Sequence, residues 1–147
     1  MSRRAVFKPY EQHQVRMLPI DLGALIPEHH LVRVVDKAIN EMDLSALYDR
    51  YPGGGSSAYH PVMLLKVVAY AYADGIYSSR RIAKATRENI HFLWLTGSQP
   101  LDFMTINRFR GERLKGMMQT IFSELVELLI REGYIKYDQY FLDGTKI

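Results

Sequence analysis

The chain contains no cysteine. That excludes disulfides, thiolate metal sites and a cysteine nucleophile, and it fits an intracellular, cytoplasmic protein. Long apolar runs are also missing. The longest, Pro61 to Ala73, is interrupted by Lys66 and falls well short of the ~20 residues a membrane span needs. The opening "MSRRAVFKPYEQHQ" lacks the apolar core of a secretory signal, so no membrane partner is expected. The five histidines, His13, His29, His30, His60 and His91, show no HxxxH or related metal spacing, and surface or capping roles suit them better. The glycines of "PGGGSSAYHP" (52–61) lack the Gly-Lys-Ser/Thr ending of a phosphate-binding loop, so this segment reads as a connector. No serine stands in a GxSxG context.

What the chain does contain is a foldable amount of apolar residue and an uneven distribution of charge. Its 147 residues, 48% hydrophobic and 24% charged, suit one globular domain. Between Ser78 and Lys115 eight basic residues stand against three acids, Glu88, Asp102 and Glu112. The local net charge of +5 exceeds the +3 of the whole chain. The feature to explain is therefore a local basic field, not a globally basic protein.

Periodicity divides the chain into three parts. Residues 1–25, with Pro9, Pro19 and Gly23 and no sustained period, read as an N-terminal arm. Residues 26–132 read as a helical domain. Pro27 suits a first helical position, ahead of the helical spacing of Leu31, Val34, Val35, Ile39 and Met42. A short second helix follows Asp43. Pro61 opens a third that is apolar on nearly every side, the pattern of a central core helix, with Gly75 as its stop. Tyr70, Tyr72 and Tyr77 are expected to pack a core, with base stacking as the weaker alternative. Ser78 or Ser79 caps "SRRIAKATRENI", a break near Thr86 precedes "IHFLWLTG", and Asp102 or Thr105 caps one long helix from Thr105 to about Arg131. Uninterrupted, that helix would be about 40 Å long. After Gly133 the period changes to two, and "YIKYDQYFLDG" is the one convincing strand.

Two constellations carry chemistry. Arg80, Arg81, Lys84 and Arg87 fall at i, i+1, i+4 and i+7, largely on one face of the fourth helix, and Asn107, Arg108 and Arg110 open the long helix. Two basic helices around a short turn-and-helix segment is the pattern of a helix-turn-helix-like reader of double-stranded DNA, with phosphate contacts favoured over base reading. The plain alternative is a solvated charged face. The second constellation is Asp143-Gly144. By local rules it is a hairpin turn. Alternatively Asp143 is a strand-end carboxylate for a divalent metal, which would require further carboxylates.

The ordered motifs "FKPYEQHQVRMLPIDLGALIPEHHLVR", "DLSALYDRY", "YHPVMLLKVVAYAYADGIYSSRRIA", "FLWLTG", "TINRFR" and "FLDGTKI" resemble bacterial insertion-sequence transposases with an InsH-like N-terminal domain and a DDE catalytic domain. The resemblance implies a mainly α fold: a multi-helix bundle with a helix-turn-helix-like DNA-binding portion, ending in one β-strand of an incomplete RNase H-like fold. It implies that residues 26–132 recognise the element's inverted repeats. It also implies that 133–147 is the first strand of a catalytic domain whose remainder is missing, with Asp143 the first of three acids that bind Mg²⁺ in the full-length family. One acid cannot fix two metals, so the truncated chain is expected to be no enzyme and to need no cofactor. It would act as a nucleoid-associated, DNA-binding fragment that forms homodimers or pairs with intact transposase. The alternative is a helical dimerisation module or inhibitor without specific DNA binding of its own.

Overall fold

A computed structural model describes residues 5–13, 21–51 and 59–134. The strand expected from Tyr134 onward lies, Tyr134 apart, outside these residues, and so do Asp143 and most of the glycine-rich connector. Among the described residues the architecture is mainly helical, with seven α-helices and no strand.

A 3-10 turn, Leu22–Leu25, precedes α1 (Leu31–Asn40). It belongs to the packed body, because Arg33 of α1 holds it there. The guanidinium donates to the carbonyls of Gly23, Ile26 and Pro27 and lies 5.1 Å from the Trp94 ring centroid. Gly23 suits this closeness: a Cβ there would come within 3.2 Å of Asp21 Oδ1 and 3.4 Å of Trp94 Nε1. Pro27 does not open α1 as its position suggested. The chain turns once more, and the helix starts at Leu31 because His30 caps it, Nδ1 accepting the Val32 N–H at 3.0 Å.

The inner face of α1 (Val32, Val35, Ala38, Ile39) is buried. After the short α2 (Ser45–Tyr48), α3 (Pro61–Ala73) runs through the centre against α1, α4 and α5, with Leu64, Leu65, Val67, Val68, Ala69, Tyr70 and Ala71 buried. Its start uses the same device as α1: Pro61 is in the first turn, and His60 Nδ1 accepts the Val62 N–H. Its end is a Schellman closure at Gly75 (φ +79°), with Ile76 N–H bonding Ala71 O at 2.7 Å. On the half-buried side Lys66 pairs with Asp36 of α1 at 2.7 Å. Tyr70 is buried as expected, but Tyr77, which follows the Gly75 turn, is 61% exposed.

Helices α4 (Ser79–Glu88) and α5 (Ile90–Thr96) meet at Asn89, three residues beyond the expected break. Its extended backbone ends α4, and its side chain accepts the His91 N–H to start α5. The single long helix expected over 105–131 is instead three pieces. These are α6 (Phe103–Arg108), a π-helical turn (Phe109–Arg113), and α7 (Met118–Arg131). Gly116, at φ +81°, lies in the left-handed region and breaks the run. Arg50 then satisfies carbonyls freed at the break, those of Glu112, Arg113 and Lys115. Arg113 answers by donating to Arg50 O and stacking 4.3 Å from the Tyr51 ring. With its direction reset, α7 buries Ile121, Leu125 and Leu129 and packs against α1.

Candidate nucleic-acid interface

The basic segment folds into α4, α5, α6 and the π-helical turn. Ser78 starts α4, its hydroxyl accepting the Arg81 N–H at 3.1 Å. The inward positions Ile82, Ala83, Ala85 and Thr86 are buried, which leaves Arg80, Arg81, Lys84 and Arg87 outward. Asp102 starts α6 by accepting the Thr105 N–H at 2.7 Å. That backbone hydrogen bond is the main reason its carboxyl titrates below the usual value.

Leu101, just before α6, is bolted to α4 through both of its backbone polar groups. The fully buried Thr86 hydroxyl accepts its N–H at 3.1 Å and donates to Ala83 O at 2.7 Å. Arg87 donates to the Leu101 carbonyl and to Ala83 O. Leu101 itself is fully buried. The two basic helices are therefore held in fixed register, with a cleft of about 290 Å³ between them lined by Arg80, Ala83, Lys84, Arg87, Asp102 and Phe103.

The seven side chains singled out by sequence divide into two groups. Arg87 is occupied at Leu101. Arg110 is half-buried and clips the turn before α4, donating to Tyr77 O at 2.7 Å and Ser79 Oγ at 3.1 Å, with its guanidinium 5.4 Å from the Tyr72 ring centroid. The other five are exposed, as Arg87 is, but make no bond to a backbone carbonyl. Arg80 lies 4.1 Å over Phe103, which orients its guanidinium without neutralising it. Lys84 makes only a loose, solvated pair with Glu88 at 3.9 Å, a contact that contributes little and yields readily to a stronger anion. Asn107 Oδ1 accepts from Ser79 Oγ at 3.4 Å, linking α6 to α4. Arg81 and Arg108 present their guanidiniums to solvent. The acids hardly offset this field, since Glu88 is at Lys84 and Asp102 serves as a cap. Glu112 is exposed in the π-helical turn.

Residues 20–112 match the family described as Transposase domain (DUF772), more than half of the chain. The chain belongs to that family. The matched span runs from the 3-10 turn through α6 into the π-helical turn, so this transposase domain contains all seven of these side chains and the bolt at Leu101. No curated protein and no solved structure gives a match.

Sequence reasoning missed several residues that build the site: Phe103 as the platform for Arg80, Thr86 as the bolt, and Arg50 with Arg113 at the π-helical turn. Phe103 lies 23 positions from Arg80, and Arg50 lies 63 from Arg113, so no local pattern connects them. His30 and His91 stack at 4.0 Å beside Tyr70. Burial, with His30 adding to it, lowers the His91 pKa, and burial pushes the Tyr70 hydroxyl up to about 12. His30 Nδ1 is already committed to Val32 N–H. Among the described residues no three His, Asp or Glu side chains converge as a metal site, and Asp143 lies outside them. No helix among them is long and apolar enough to cross a membrane.

Proposed function

We propose that this transposase domain binds double-stranded DNA at the ends of its mobile element. The observation that carries the reading is the set of exposed cations Arg80, Arg81, Lys84 and Arg108, offset only by the loose Lys84–Glu88 pair, on two helices fixed to one another. Such a set can neutralise phosphates spaced along a duplex. Arg87 and Arg110, drawn into the fold by carbonyls, act on DNA only by holding that frame. The α4–α5–α6 order, with its short middle helix, supports a helix-turn-helix-like arrangement. The motif resemblance supports a DDE-type, InsH-like enzyme in which Asp143 is the first metal-binding acid, with Mg²⁺ required for chemistry. Residues 1–147 supply one such acid and would cleave no DNA alone. Pairing with a second copy or with intact transposase fits the same reading.

The test is gel-shift binding to element-end duplexes across a salt series. The affinity of the 147-residue chain should fall steeply with salt. In an Arg80→Ala/Arg81→Ala/Lys84→Ala variant the slope of log affinity against log salt should shrink by about three units. An unchanged slope would remove this patch from the interface.

A further inference from the structure

Among the described residues the fold leaves one glycine without a structural reason. Gly75, Gly97, Gly116 and Gly133 each adopt a positive φ, and Gly23 is crowded by neighbours. Gly111 has neither property. Its φ is not positive, and a Cβ built on it would meet nothing within 4 Å. It nevertheless sits in the middle of a helical turn, where glycine is the worst non-proline choice. A side chain at 111 would cost the isolated protein nothing, which leaves the space open to something outside it.

The neighbours of Gly111 say what that is. Positions 104, 107 and 108 of α6 follow i, i+3 and i+4 and share a face, and Gly111 follows them in the π-helical turn. All four are exposed, Met104 at 52%, while Ile106 and Phe109 on the opposite side are buried. The face thus offers an amide that can pair with adenine, a guanidinium that can pair with guanine, and a thioether that can lie on a thymine methyl. It then continues into bare backbone. Arg108 makes no hydrogen bond or ion pair among the described residues, so its fork is available. A π-helical turn at this point is itself a frequent mark of function.

From this face we infer that α6 and its π-helical turn read base edges in the DNA major groove. Asn107 and Arg108 make the polar contacts, Met104 makes the apolar one, and Gly111 clears the backbone for entry. The α4 cations hold the flanking phosphates. The inference rests on the reading of the basic patch as a DNA-binding surface, but it assigns sequence discrimination, as distinct from affinity, to one helix face.

The experiment selects tight binders to the 147-residue chain from a random 20-base-pair duplex pool. It then measures the affinity ratio between the selected duplex and the unselected pool. Arg108→Ala and Gly111→Gln should each lower that ratio by about 5- to 150-fold, the range of one good base contact. Arg81→Ala should weaken both affinities and leave the ratio in place. Gly111→Ala should raise the melting temperature by about 1–4 °C while still lowering the ratio, a combination that no purely structural role for the glycine produces. The inference is overturned if Gly111→Ala melts lower than the parent, or if the Arg108 and Gly111 variants keep the parental ratio. Gly111→Gln altering only the oligomeric state would likewise overturn it, as the mark of a protein interface. A parent that binds the pool without enriching any sequence overturns the inference and leaves the DNA-binding reading standing. A parent that binds no duplex removes both.

Discussion

Thr86→Val tests the joint that aligns the two basic helices. The substitution preserves shape and removes one oxygen. In the parent that oxygen accepts the Leu101 N–H at 3.1 Å and donates to Ala83 O at 2.7 Å, and both Thr86 and Leu101 are fully buried. Ala83 O keeps Arg87 as a donor at 3.2 Å, so the loss falls on the Leu101 N–H, which has no other acceptor among the described residues. A buried donor left unpaired costs about 1–3 kcal/mol. For a chain of this length that corresponds to a fall in melting temperature of about 2–12 °C. Thermal unfolding followed by circular dichroism reads the shift, and Thr86→Ser, which keeps the hydroxyl, is the control. Because Arg87 grips the carbonyl of the same residue, the Thr86→Val and Arg87→Ala losses should be non-additive by about 0.5 kcal/mol or more. A Thr86→Val protein that melts with the parent, or a strictly additive double variant, would refute the idea that Leu101 is the joint.

Two further outcomes are expected. The His91 pKa is depressed by burial and by His30, with Asp74 opposing, so between the folded value and the ordinary 6.5 the unfolded chain binds the extra proton. Stability should therefore be full above about pH 6.5 and decline as the pH falls through that value. His91→Gln should flatten this part of a melting-temperature series, and a parental series level from pH 7.5 to 5 would contradict the assignment. Gly116→Ala places a side chain at φ +81° and should destabilise by about 1–2 kcal/mol, seen as a lower urea midpoint. A neutral result would mean that the break before α7 does not depend on that left-handed residue.

Most helices were legible because their signals are local. The apolar spacing of α1, the all-round apolar α3 with Pro61 at its head, and the caps Ser78 and Asp102 all depend on residues within a turn or two. The Gly75 and Gly133 stops do as well. The errors came where distant groups intervened. The run from Thr105 onward has helical periodicity throughout, and only Arg50, supplying donors to carbonyls more than 60 positions away, makes a break at Gly116 affordable. Pro27 looked like a first helical residue because nothing nearby shows that His30 is the better cap. Tyr77 carried the same aromatic signal as Tyr70 and Tyr72, but the Gly75 turn directs it outward.

The sequence by itself determined that the chain is helical, that its basic residues concentrate between Ser78 and Lys115, and that its ordered motifs resemble transposases. Those properties follow from composition, from spacing within a few residues, and from motif order. Only the tertiary structure decided which cations are free. Arg80 and Arg87 are alike in sequence, as are Arg108 and Arg110. One of each pair finds backbone carbonyls brought from 14 or 33 positions away and is held by them, while the other makes no bond to the backbone. A guanidinium takes whatever acceptor the fold places within 3 Å, and that placement is decided by packing.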